Sequence, residues 1–160
     1  MADGGSSSMS RSYRGRSRRT AEQLLAEARA GLQRLTPESA RAEAGAGALL
    51  IDIRSELQRE RDGVIPGSRF IARNVLEWRC DPASPWRDPA VKEGRKLILI
   101  CNEGYQSSLA AATLQQLGLI DATDVIGGFQ AWRAAGLPLG PRKVPDTSRR
   151  TRSGAVDAMA

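Results

Sequence analysis

The chain of 160 residues contains no histidine. That absence removes Ser-His-Asp and Cys-His nucleophile pairs, imidazole acid–base chemistry and every metal site that uses a His ligand. It has two cysteines, Cys80 and Cys101, too few for a disulfide scaffold or a four-thiolate zinc site and not in a C-x-x-C pair, so no metal is expected. Aromatics are scarce, at 4%. The longest apolar run, Ala44 to Ile51, falls far short of the roughly 20 residues of a membrane span. The basic N-terminus has no apolar stretch behind it and does not read as a secretory signal. A soluble protein in a reducing cytoplasm, with free thiols and no membrane partner, is the expectation.

Charge is present, but it sits at the ends. The formal net charge is +6; residues 1–20 carry five Arg against Asp3, and residues 141–160 carry four Arg and Lys143 against Asp146 and Asp157. Residues 21–140 are left close to neutral. Both ends are poor in aliphatics and rich in Ser, Gly or Pro, a composition that buries too little apolar surface to offset the entropy of ordering. They are expected to be disordered, solubilising tails around one domain at 21–140. They also lack the interleaved aromatics with which single strands are stacked, so nucleic acid is not an expected partner.

Within the domain, an extra N-terminal helix is expected over 21–35. Thr20 stands as its cap, Gln23 completes a capping box, and Leu24, Leu25, Ala28, Leu32 and Leu35 form an apolar face. Thr36-Pro37-Glu38 opens a short helix to about Ala42, and Glu43–Gly47 reads as a turn. Ala48–Ile53 and Lys96–Cys101 are short, almost unbroken apolar runs, as expected of central strands in a parallel sheet. Arg69–Ala72 and Asp124–Ile126 read as shorter strands, with helices near 55–61, 75–79, 107–116 and 129–135. Strands alternating with helices give an α/β domain.

Ligands of open parallel sheets bind at the carboxyl ends of the strands, and Cys101 stands at such an end. The segment Asn102-Glu103-Gly104-Tyr105-Gln106 follows, then Ser107-Ser108 and an Ala/Leu-rich helix that a serine can cap. A thiol at the lip of a helix N-terminus meets unpaired N–H groups and the positive end of the helix dipole, which favour a thiolate without imidazole. Gly104 permits a left-handed turn, so consecutive amides can face the sulfur as an anion nest. A buried cysteine closing a strand, with Gly104 a plain turn residue, is the competing reading of the same residues.

Four ordered motifs over about Thr36–Leu139 resemble the rhodanese-like family of sulfurtransferases. These are Leu50-Ile51-Asp52-Ile53-Arg54, Gly63-Val64-Ile65-Pro66-Gly67-Ser68, the Cys101–Ser107 loop, and Gly127-Gly128-Phe129-Gln130-Ala131-Trp132 with Gly136-Leu137-Pro138. The resemblance implies a three-layer α/β fold, a central mostly parallel sheet with helices on both faces. It also implies that Cys101 takes sulfane sulfur from a donor such as thiosulfate as a persulfide and passes it to cyanide, a thiol or a sulfur-accepting protein, without a cofactor. The loop 101–107 would cradle the anion, with Asn102, Glu103, Gly104, Tyr105, Gln106 and Ser107 as the substrate-binding set. Many family members carry Arg or Lys beside the Cys and Arg at the loop end; here Asn102, Glu103 and Gln106 stand there, and Val64 replaces a family His. Related phosphatases have a loop one residue longer that ends in Arg, which does not match Gln106. An inactive rhodanese-like module for binding or redox sensing is the alternative that Glu103 and the missing arginine motivate. Asp52 and Arg54 are expected to pair and fix strand ends, and Trp78, Trp86 and Trp132 to anchor packing. Cys80 is either a resolving thiol for Cys101 or a spare one, and Tyr105 is expected at the pocket mouth.

Overall fold

The computed structural model describes residues 17–140. The expected tails therefore lie outside the described residues, apart from 17–20. Four strands, β1 (Leu49–Asp52), β2 (Arg69–Phe70), β3 (Leu97–Ile100) and β4 (Thr123–Asp124), form one parallel sheet in the order β2-β1-β3-β4. The two apolar runs are the central pair, in register from Leu49 opposite Leu97 to Asp52 opposite Ile100. Alternation along these strands sends side chains to two cores. Leu49, Ile51, Leu97, Leu99 and Cys101 face one side, with Leu76, Cys80 and Leu114; Leu50, Ile98 and Ile100 face the other, with Ala40, Phe129 and Trp132.

Among the described residues six α-helices surround the sheet: α1 (Ala21–Ala30), α2 (Pro37–Gly45), α3 (Glu56–Asp62), α4 (Leu76–Cys80), α5 (Gln106–Gln116) and α6 (Gly128–Ala134). Their starts follow local chemistry. Thr20 and Gln23 close a reciprocal capping box, Ser55 and Gln58 another, and Thr36 accepts the Ser39 N–H ahead of Pro37.

Four expectations are corrected. α1 ends at Ala30 with Gly31 as its cap residue, rather than running to 35, because the chain leaves the helix to join the sheet edge. Leu35 N–H donates to the Asp124 carbonyl (3.0 Å) and the Leu35 carbonyl accepts from Ile126 (2.8 Å), a parallel bridge beyond β4. The expected apolar face docks only in part: Leu24 is exposed, Leu25 and Ala28 are half-buried, and Leu32, past the end of the helix, packs against the core. α2 continues to Gly45 through the segment read as a turn, since Ala42, Glu43 and Ala44 are tolerable helix formers and Lys96 pairs with Glu43 (2.6 Å). Trp78 and Trp86 are exposed at 59% and 68%; α4 buries Leu76 and Cys80 four residues apart, which turns Trp78 outward, and only Trp132 is a core anchor, its indole N–H donating to the Pro138 carbonyl (3.1 Å).

Among the described residues no helix is long and apolar enough to cross a membrane.

Candidate active site

Cys101 follows the last residue of β3, at the carboxyl edge of the sheet, and α5 begins five residues later. The intervening loop rests on the start of α6. Gly128, at φ +60°, lies so close beneath it that a Cβ there would meet the Cys101 carbonyl oxygen at 2.5 Å and the Gly104 nitrogen at 2.8 Å. Gly104, at φ +82°, is equally confined: its Cβ would stand 2.8 Å from the Gly127 nitrogen. The amides of α6 then hold the loop, Phe129 N–H donating to the Cys101 carbonyl (2.8 Å) and Gln130 N–H to that of Asn102 (3.0 Å). Gly127-Gly128 is thus the floor of the cysteine loop.

Cys101 is 2% exposed, and its sulfur has two polar neighbours. The Gly104 N–H donates to Sγ (3.1 Å), and the thiol donates to Ser107 Oγ (3.2 Å). Ser107 is committed in turn, its hydroxyl donating to Asp124 Oδ2 (2.8 Å), so its lone pairs are what it offers the thiol. Ser108 Oγ donates to the same oxygen (2.7 Å). Neither serine caps α5: Tyr105 is the cap residue, with no side-chain bond, and both serines lie inside the first turn facing the buried carboxylate. Asp124 is wholly buried and is held by Arg34, Nε to Oδ1 (2.8 Å) and Nη2 to Oδ2 (3.2 Å). A buried carboxylate is tolerable only when paired and hydrogen-bonded in this way.

Two arginines reach the loop from the N-terminal segment. Arg29 Nη2 and Arg34 Nη2 both donate to the Gly104 carbonyl (2.7 and 3.0 Å), and Arg29 Nε also donates to Ser108 Oγ (3.2 Å). The Gly104 peptides are therefore fixed, carbonyl toward the guanidinium groups and N–H toward sulfur. Sequence reading missed Asp124, Ser108, Arg29 and Arg34; the two arginines reach partners 70 to 90 residues along the chain, Asp124 lies 16 residues beyond Ser108, and the one local trace was the pair of serines opening α5.

The remaining site candidates lie around this centre. Asn102 Oδ1 accepts from Gln130 Nε2 (3.0 Å), which orients the amide. Glu103 is exposed, Tyr105 is 59% exposed with the Arg29 guanidinium 5.6 Å from its ring centroid, and Gln106 is exposed beside a cleft of about 470 Å³ lined also by Ile53, Arg54 and Phe70. Asp52 and Arg54 are both fully buried and paired, Nη2 to Oδ2 at 2.8 Å. Arg54 also donates to the Gly63 carbonyl (2.8 Å) and stacks on Phe129, 3.6 Å from the ring centroid. This pair ties the end of β1 to the turn at Gly63. Cys80 is buried among apolar side chains on α4. Burial, then the negative Asp88 and Glu77, push its thiol up to about 12, against Arg79.

An all-parallel α/β domain with a cysteine loop between a strand end and a helix N-terminus defines the class, and the family can now be stated. Residues 36–135 match the rhodanese-like domain model, and the chain belongs to that family. It is 34% identical over 101 residues to the thiosulfate sulfurtransferase GlpE of Stutzerimonas stutzeri (strain A1501), covering 63% of this chain and 84% of that protein. The adenylyltransferase and sulfurtransferase MOCS3-2 of Zea mays is 33% identical over 105 residues, 60% of this chain but only 21% of the relative. A solved structure from Rhodopseudomonas palustris CGA009, of a protein of unknown function described as a possible tyrosine phosphatase, superposes with TM-score 0.71. It is 40% identical and covers 76% of this chain and 95% of that one. The relatives support the sulfurtransferase class at the level of the family.

Proposed function

We propose that this protein is a rhodanese-type sulfurtransferase in which Cys101 carries sulfur as a persulfide. The observation that carries the reading is the sulfur itself: Cys101 Sγ sits at the N-terminal end of an 11-residue helix and accepts a backbone N–H at 3.1 Å, in a chain with no histidine. A helix end and an amide favour negative charge on sulfur in both the attacking thiolate and the resulting persulfide. The GlpE relatives support thiosulfate as a donor class.

In the first step the Cys101 thiolate attacks the outer sulfur of thiosulfate. A Cys101 S–S bond forms, the donor S–S bond breaks, and sulfite leaves with the electron pair. In the second, cyanide or a thiolate attacks the outer sulfur of the persulfide, yielding thiocyanate or a new persulfide and returning the Cys101 thiolate. Each step is a displacement on sulfur and needs no outside oxidant or metal. The exposure of Glu103 leaves its charge in water rather than in the loop.

The description of the R. palustris neighbour raises phosphatase chemistry. Phosphate is gripped in bidentate fashion by a guanidinium, and the loop here ends in the neutral Gln106.

Thiocyanate formation from thiosulfate and cyanide tests the proposal. The wild-type chain is expected to turn over and Cys101→Ala to show none. A wild-type chain inert toward thiosulfate and polysulfide alike would favour the inactive-module alternative.

A further inference from the structure

The Cys101–Ser107 segment contains no cationic residue, and its one acidic residue, Glu103, is turned to water, although the chemistry proposed for it binds an anionic donor and forms an anionic persulfide. The cations near the site are mostly spent. Arg34 is matched by Asp124, Arg54 and Arg59 share Asp52, and Arg73 is matched by Glu77. Arg29 differs. Among the described residues it forms no ion pair, yet it is held against the loop by three contacts: the Gly104 carbonyl, Ser108 Oγ and the Tyr105 ring. Its guanidinium donates to the carbonyl of the same residue whose N–H donates to Sγ, so one glycine separates the cation from the sulfur. Arg29 also lies outside residues 36–135, on α1, a helix that buries no residue of its own.

We propose that Arg29, carried by the N-terminal helix, supplies from outside the loop the positive charge that selects anionic substrates at Cys101. Arg29 is a specificity-determining and positioning residue. Its charge raises the local concentration of anions and stabilises negative charge on the bound sulfur, while its hydrogen bond fixes Gly104. This polar strap joins the half-buried Leu25 and Ala28 in holding α1 to the domain. The anion in question rests on the sulfurtransferase reading; the charge at Cys101 does not.

The test uses the full chain and two alkylating probes, anionic iodoacetate and neutral iodoacetamide, whose rate ratio at Cys101 reads the local potential whatever the enzyme does. Arg29→Gln is expected to lower the iodoacetate/iodoacetamide ratio about threefold or more at low salt, while Arg29→Lys keeps it within about 1.5-fold. In the wild type the ratio should fall between about 0.02 M and 0.5 M salt. The kcat/KM for thiosulfate should fall several-fold in Arg29→Gln, by more at low salt than at high salt. An unchanged ratio in Arg29→Gln, a fall in Arg29→Lys equal to that in Arg29→Gln, or a wild-type ratio indifferent to salt overturns the proposal. A wild type that forms no persulfide would sink the sulfurtransferase reading alone, since the alkylation ratio still decides the role of Arg29.

Discussion

Cys80 and Cys101 lie in the same apolar cluster, at 0% and 2% exposure, and differ in almost everything else. Cys80 closes a helix of one and a half turns, and burial, then the negative Asp88 and Glu77, push its thiol up, so it is held protonated. Cys101 closes a strand and opens onto an 11-residue helix, with an amide N–H and a serine oxygen within 3.2 Å. Burial alone makes a thiol inert. The amide donor and the helix end beside Cys101 are what distinguish a candidate nucleophile from a core residue, and they come from a loop that two glycines, a buried carboxylate and two distant arginines keep in shape.

The sharpest way to break that difference is to lift the loop off its floor. Gly128→Ala puts a methyl group 2.5 Å from the Cys101 carbonyl and places a non-glycine residue at φ +60°. Displacement of the loop by even part of an ångström should cost about 100-fold in kcat/KM, read in the thiocyanate assay, with Cys80 as buried as before. Removing the carboxylate behind the serines comes next. Asp124→Asn leaves Arg34 half-matched in a buried site, weakens the acceptor that Ser107 and Ser108 share, and should destabilise the domain by about 3 kcal/mol in urea unfolding. Smallest of all should be the effect of Cys80→Ala: sulfur transfer within about twofold of wild type and a stability loss of about 1 kcal/mol. Because the Cys80 thiol is pushed up to about 12, it should resist iodoacetamide at about pH 8 and gain a thiolate only as the pH approaches that value. Rapid labelling of Cys80 at neutral pH would undo the contrast.

Local chemistry made much of the fold legible. Thr20, Thr36 and Ser55 mark helix starts because a hydroxyl satisfies a free amide within three residues, and the runs ending at Asp52 and Ile100 mark central strands because both their faces are covered. The family segment was legible for a similar reason: Gly127-Gly128 and the Cys101 loop are short motifs. Hidden from such reading was whatever depends on partners far along the chain. Leu32 and Leu35 continue a helical spacing, but Leu35 is drawn into a bridge with Val125. Ser107 and Ser108 look like caps, yet their hydroxyls donate to a carboxylate 17 and 16 residues away. Arg29 and Arg34 read as ordinary surface cations, and nothing in their neighbourhood announces the Gly104 carbonyl 75 and 70 residues on.

The contrast between the two thiols reduces to where sulfur goes when the protein meets a donor. Mass spectrometry of peptides from the full chain after exposure to thiosulfate, without reductant, measures this directly. One additional sulfur atom on the Cys101 peptide, none on the Cys80 peptide, and loss of the adduct on adding cyanide is the result this structure predicts. Sulfur on the Cys80 peptide, or on neither with thiosulfate and polysulfide alike, would contradict it.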